Sequence, residues 1–137
     1  FYSGGLPKSG IKVALYKDSY QNMLNALYDM HQRGVSIVPG TDGLPGFLYH
    51  RELELYEKAG ISTVDILKMA TINSAKITGT SDTLGSIEEG KNADLILIDG
   101  NPVNNISDIR KVEWTIKGGN LYFAEELYNK MGIKHFK

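Results

Sequence analysis

The chain has 137 residues, 42% hydrophobic and 23% charged, and its 15 basic and 16 acidic side chains leave a net charge of −1. That length holds one ordinary domain or pieces of two, and scattered charge without a basic run speaks against nucleic acid or an anionic membrane surface as a partner. With no cysteine, disulfides, thiolate metal sites and a cysteine nucleophile are excluded; a cysteine-free chain fits a cytoplasmic protein and also tolerates export, and no apolar run approaches a membrane span.

Residues 1–14 carry Gly4, Gly5, Pro7 and Gly10, which break regular structure and predict a loop. A helix is expected from Asp18 or Ser19, either of which can cap its free N–H groups. Tyr20, Met23, Leu24, Leu27 and His31 then recur at spacings of three and four, and Gly34 ends the run. Residues 35–38 (Val-Ser-Ile-Val) read as a short buried strand, stopped by Pro39 and Gly40. Helix, glycine, strand is the αβ step of an α/β protein. After it comes the turn Thr41-Asp42-Gly43 and a loop through Phe47.

A second helix is expected over 48–59, with Tyr49, Leu53 and Tyr56 as its stripe and Gly60 as its stop. A third opens at Ser62, which forms a capping-box-like pair with Asp65. Its Val64, Ile66, Leu67, Met69 and Ala70 predict burial, and a further turn or two follows from Asn73 or Ser74 to Gly79.

Beyond Gly79 the pattern changes. Residues 81–90 are polar and glycine-bearing, the mark of a boundary. Residues 94–99 place four apolar residues between two aspartates, a strand. Residues 112–117 alternate, with Val112, Trp114 and Ile116 on one face. Gly118-Gly119-Asn120 is hairpin chemistry, 121–123 the return strand, and 124–131 a last helix. The expected division is 1–80, the end of an α/β assembly; 81–123, a few strands of a small β unit; and 124–137, a helix and tail. Neither main piece is whole, since one strand makes no parallel sheet and three make a poor sandwich.

Pro39-Gly-Thr-Asp42-Gly, His50-Arg-Glu-Leu-Glu-Leu, Ala59-Gly-Ile-Ser, Ala70-Thr-Ile-Asn-Ser-Ala75 and Leu84-Gly-Ser-Ile-Glu-Glu-Gly-Lys-Asn-Ala-Asp94-Leu resemble, in order and spacing, the C-terminal part of the amidohydrolase superfamily. The likeness is to its imidazolonepropionase-like and prolidase-like branch, and Gly100-Asn-Pro102 and Ile116-Lys-Gly-Gly-Asn-Leu-Tyr122 extend it. The resemblance implies the C-terminal fragment of a metal-dependent (β/α)8 TIM barrel plus part of a β-sandwich built from both chain ends. Asp42 would lie at the end of the eighth barrel strand, where barrel enzymes keep their chemistry. Alone, Asp-Gly is a common turn pair; in the family this aspartate binds the metal, zinc or another divalent ion, and takes a proton from metal-bound water.

The family's other ligands lie earlier, in a His-x-His pair, a lysine or glutamate and two single histidines. This chain has only His31, His50 and His135, none at a matching position. A catalytic zinc takes three protein ligands, so the isolated chain is expected to be inactive and metal-free. His50, opening the second helix, is a candidate substrate contact, with local capping or packing as its alternative. His31 reads as a packed or surface residue and His135 as part of the tail. The enzyme reading is therefore the C-terminal portion of a hydrolase of C–N bonds (amide, cyclic amide or dipeptide), completed by a missing N-terminal segment. The alternative is a non-catalytic scaffold, or a module that self-associates as a homo-oligomer through unburied faces.

Overall fold

A computed structural model describes residues 9–43 and 46–133. The first helix, α1 (Ile11–Gln32), begins well before Asp18. The loop expected over 1–14 therefore ends at Gly10, and its residues 1–8 lie outside the described part. Gly10 caps the helix at φ 83 with no side-chain bond, so no capping side chain marks the start. Every breaker lies at or before Gly10, and nothing between Ile11 and Asp18 opposes a helix. Only Leu24 of α1 is buried.

α2 (Phe47–Ala59) matches its expected span. It stops at Gly60, whose φ of 100 only glycine tolerates freely. There Gly60 N–H reaches the Glu57 carbonyl at 2.8 Å, and Ile61 N–H reaches that of Tyr56 at 3.1 Å. This is a Schellman ending, with Ile61 folded back on Tyr56 in the core. α3 (Thr63–Lys68) is capped as its sequence predicts: Ser62 Oγ accepts from Asp65 N–H at 3.2 Å and donates to Asp65 Oδ2 at 2.7 Å. The further turn expected from Asn73 or Ser74 begins at Ser74, but without a break in the helix. α3 runs on through a π turn (Met69–Asn73) into α4 (Ser74–Ile77). The Ser74 hydroxyl donates to the Met69 carbonyl at 2.6 Å, inside that widened turn. Burial of this helix is one-sided: Ile66, Met69 and Ala75 are covered, while Val64 is exposed.

Three strands form one antiparallel sheet in the order β1 (Leu95–Ile98), β2 (Val112–Lys117), β3 (Asn120–Phe123), and α5 (Ala124–Lys130) follows. Lys117 pairs with Asn120 across a two-residue loop in which Gly118 and Gly119 both have positive φ, 56 and 80. Those are the signs a type I′ turn needs. Asp94 clasps this turn, accepting from Gly118 N–H at 2.8 Å and from Lys117 Nζ. The register sets Leu97, Trp114 and Phe123 side by side, with the Trp114 and Phe123 rings edge to face at 4.9 Å. Yet Leu97, Trp114, Leu121 and Phe123 remain exposed, so this part of the sheet face is bare.

One element has no counterpart in the sequence reading, a 3-10 helix (Ile106–Arg110) capped by Asn105, whose Oδ1 accepts from Ser107 N–H at 3.2 Å. It matters to the core. Ile106 and Ile109 pack with Leu53, Tyr56, Ile61, Ile66 and Met69 in a single cluster. The helical first half and the strand-bearing second half thus share one interior.

Candidate functional site

The segment from Val35 to Gly43 carries Asp42 and is not a strand. The correction has a physical reason: a strand is defined by its neighbour's hydrogen bonds, and among the described residues no second strand lies beside this one. Its burial departs from the expected buried strand as well, for Val35 is exposed. Ile37 and Val38 are half-buried and Pro39 is buried, after which Gly40, Thr41 and Asp42 emerge into solvent. Tyr56 of α2 holds the buried part, its hydroxyl donating to the Val38 carbonyl at 3.3 Å. Burial, with the charge of Glu52 adding to it, pushes the Tyr56 phenol well above its ordinary value, so it stays a donor. At the tip, Thr41 Oγ1 accepts from Gly43 N–H at 3.2 Å, a local side-chain bond that closes the turn. A Cβ on Gly43 would fall 2.0 Å from Leu48 Cδ1, so the loop lies close against the first turn of α2.

Asp42 is thus an exposed carboxylate on a tied-down loop. Among the described residues no three His, Asp or Glu side chains come together as a metal cage. One carboxylate is too few for zinc, so these residues alone do not fit the ion.

His50 stands elsewhere, in a charged cluster at the seam between α2 and the 3-10 helix. Glu54 is its centre. Glu54 Oε1 accepts from Arg110 Nε at 2.6 Å and Oε2 from Arg51 Nη1 at 3.2 Å. The Arg110 hydrogen bond, foremost among several, holds the Glu54 carboxyl below its ordinary value. Folding therefore favours its ionised form. The pair stabilises the fold above pH 4.5 and loses that contribution as pH falls through the lowered value. His50 is half-buried, and burial lowers its pKa, helped by the Arg110 cation and opposed by Glu54. His31 Nε2 lies 3.7 Å from Asp65 Oδ2, a packing role between α1 and the α3 cap. His135 falls outside the described residues. Sequence reasoning missed Arg110, because 56 positions separate it from Glu54 and no local pattern links them.

The amidohydrolase family profile matches residues 5–122, most of the chain and all of the elements from α1 to β2. The chain belongs to the amidohydrolase family. A 5-methylthioadenosine/S-adenosylhomocysteine deaminase of Teredinibacter turnerae is 36% identical over a match covering 69% of this chain and 26% of that protein. An imidazolonepropionase of Thermoanaerobacter pseudethanolicus is 36% identical over 50% of this chain and 18% of its own length. Among solved structures, a Xaa-Pro dipeptidase with methionine bound in its active site superimposes with a TM-score of 0.69. It is 34% identical, and the match covers 74% of this chain and 25% of that one. This amidohydrolase chain spans about a quarter of the length of the deaminase and the dipeptidase. Among its described residues no helix is long and apolar enough to cross a membrane.

Proposed function

We propose that this chain is the C-terminal portion of a metal-dependent amidohydrolase that hydrolyses C–N bonds in small molecules such as cyclic amides or dipeptides. The observation that carries the reading is the family match over residues 5–122, which includes the Asp42 loop. The deaminase, the imidazolonepropionase and the Xaa-Pro dipeptidase it is similar to support a C–N bond as the point of attack. Asp42 is the carboxylate this chain contributes: a hard oxygen donor, and a base held at a fixed place by the buried Pro39 behind it. The remaining ligands of a divalent ion, zinc by this reading, come from the N-terminal segment. So do the remaining barrel strands, which would flank 35–38, and a second sheet for the bare face of β1–β3. His50 is proposed to contact substrate. The division proposed at 80/81 and 123/124 draws its support from the change in sequence pattern after Gly79 and again after Phe123.

The test uses a polypeptide extended to the length of the relatives. There Asp42→Asn should lower kcat by about 10²–10⁴-fold, the contribution of a positioned base, while the 137-residue chain alone shows no turnover. Stoichiometric zinc on the 137-residue monomer would overturn the reading. A second reading, a self-associating module, draws on the exposed Leu97, Trp114, Leu121 and Phe123. Concentration-dependent sedimentation that persists in the extended polypeptide would favour it.

A further inference from the structure

We infer, resting on the reading of Asp42 as the carboxylate this chain brings to the reaction, that one face of α2 is the mount for Asp42, with Tyr56 and Leu48 as positioning residues. The loop that carries Asp42 meets α2 at both of its ends. At the near end, the Tyr56 hydroxyl donates to the Val38 carbonyl at 3.3 Å. At the far end, Leu48 stands so close that a Cβ on Gly43 would fall 2.0 Å from its Cδ1. Leu48 and Tyr56 lie eight residues apart, a little over two helical turns, and so share one face of the helix. Between the two points of contact run only four residues, Pro39 to Asp42. Pro39 is buried, and its ring fixes its φ. The turn around Asp42 is closed by the Thr41 hydroxyl, which accepts from Gly43 N–H at 3.2 Å.

The two anchors work differently. Tyr56 is 5% exposed and belongs to the core cluster with Leu53 and Ile66. Burial and the Glu52 carboxylate beside it keep the phenol protonated, so it has its proton to give. Leu48 is partly exposed and acts by shape, leaving room for a glycine hydrogen and none for a methyl. Gly43 is not among the glycines of positive φ, so its bare Cα answers to Leu48 and not to a strained backbone. The place of the carboxylate is thereby tied to the core through α2.

The test begins with the 137-residue chain and the NMR residual dipolar couplings of the Gly40, Thr41, Asp42 and Gly43 amides. Gly43→Ala should change these couplings by pushing the loop off Leu48. Adding Leu48→Ala should return them toward the parent values, because the new methyl takes the space of the lost Cδ1. Tyr56→Phe frees the other end and should change them too, with the couplings of β2 and β3 unaltered. Unchanged couplings in either single variant, a double variant that fails to restore them, or an equal change in β2 and β3 overturns the inference. In the polypeptide extended to the relatives' length, Gly43→Ala should lower kcat by up to about 10²-fold, the cost of a misplacement near 1 Å, with KM held and with recovery in the double variant. A mere loss of stability would add in the double variant instead of cancelling. If Asp42→Asn leaves kcat unchanged, the hydrolase role of Asp42 falls, and the couplings still decide whether α2 sets its position.

Discussion

Two stretches of this chain are written in the same alphabet and end differently. Residues 112–123 and residues 35–43 both pair β-branched or aromatic side chains with a glycine turn. The first became a hairpin with defined register; the second is an unpaired segment pinned by one tyrosine. The difference lies in where the partner is. The hairpin brings its own, two residues away, because Gly118 and Gly119 accept positive φ. The earlier stretch has no strand beside it among the described residues, and it is held by local contacts instead: Ile37 against the core cluster, a buried Pro39, and the Tyr56 hydroxyl on the Val38 carbonyl. Propensity proposes a strand; a neighbour makes it one.

The contrast can be broken most severely from beneath. Leu53 is 1% exposed at the centre of the cluster against which Ile37 packs. Leu53→Ala should cost about 2–5 kcal/mol in urea unfolding, and the 35–43 amides should lose hydrogen-exchange protection with the core. On the hairpin side, Gly119→Val forces a β-branched residue into the left-handed region at φ 80. A loss of about 1–2 kcal/mol is expected, with the fluorescence of Trp114 changing. Smaller still, Tyr56→Phe deletes the hydroxyl that donates to Val38. It should cost about 0.5–1.5 kcal/mol, accelerating exchange near Val38 while leaving β2 and β3 unchanged. Equal loosening of both stretches would refute the distinction.

The gentlest probe is acid. Lys117, then the Gly118 N–H, hold the Asp94 carboxyl below its ordinary 3.8. The clasp on the hairpin should therefore persist as pH falls past that value and open only as the lowered one is crossed. The Gly118 amide shift should follow that lower midpoint in the parent chain, and move upward in Lys117→Gln.

What the sequence made legible was what neighbouring residues decide. The span of α2, the Ser62–Asp65 cap, the alternation of β2 and the Gly118–Gly119 turn all rest on contacts within a few positions. α1 was misplaced because Gly10 caps it without a side-chain signal. The 3-10 helix escaped because five residues are too few for a period, although Asn105 and the Ile106–Ile109 spacing were there to be read. The Asp42 loop was legible only as part of a longer string; alone, Thr-Asp-Gly is a turn. Arg110 was beyond reach, since its partner Glu54 is distant in the chain and neither residue is unusual by itself.

The core that joins Leu53 and Ile66 to Ile106 and Ile109 also bears on whether the chain can be taken apart. The shift from helices to strands invites the idea of two parts joined end to end, each free to be replaced. A seam filled by isoleucines from both sides forbids that exchange. A strand unit borrowed from a relative would bring knobs cut for other holes, so such an exchange should destabilise both stretches at once.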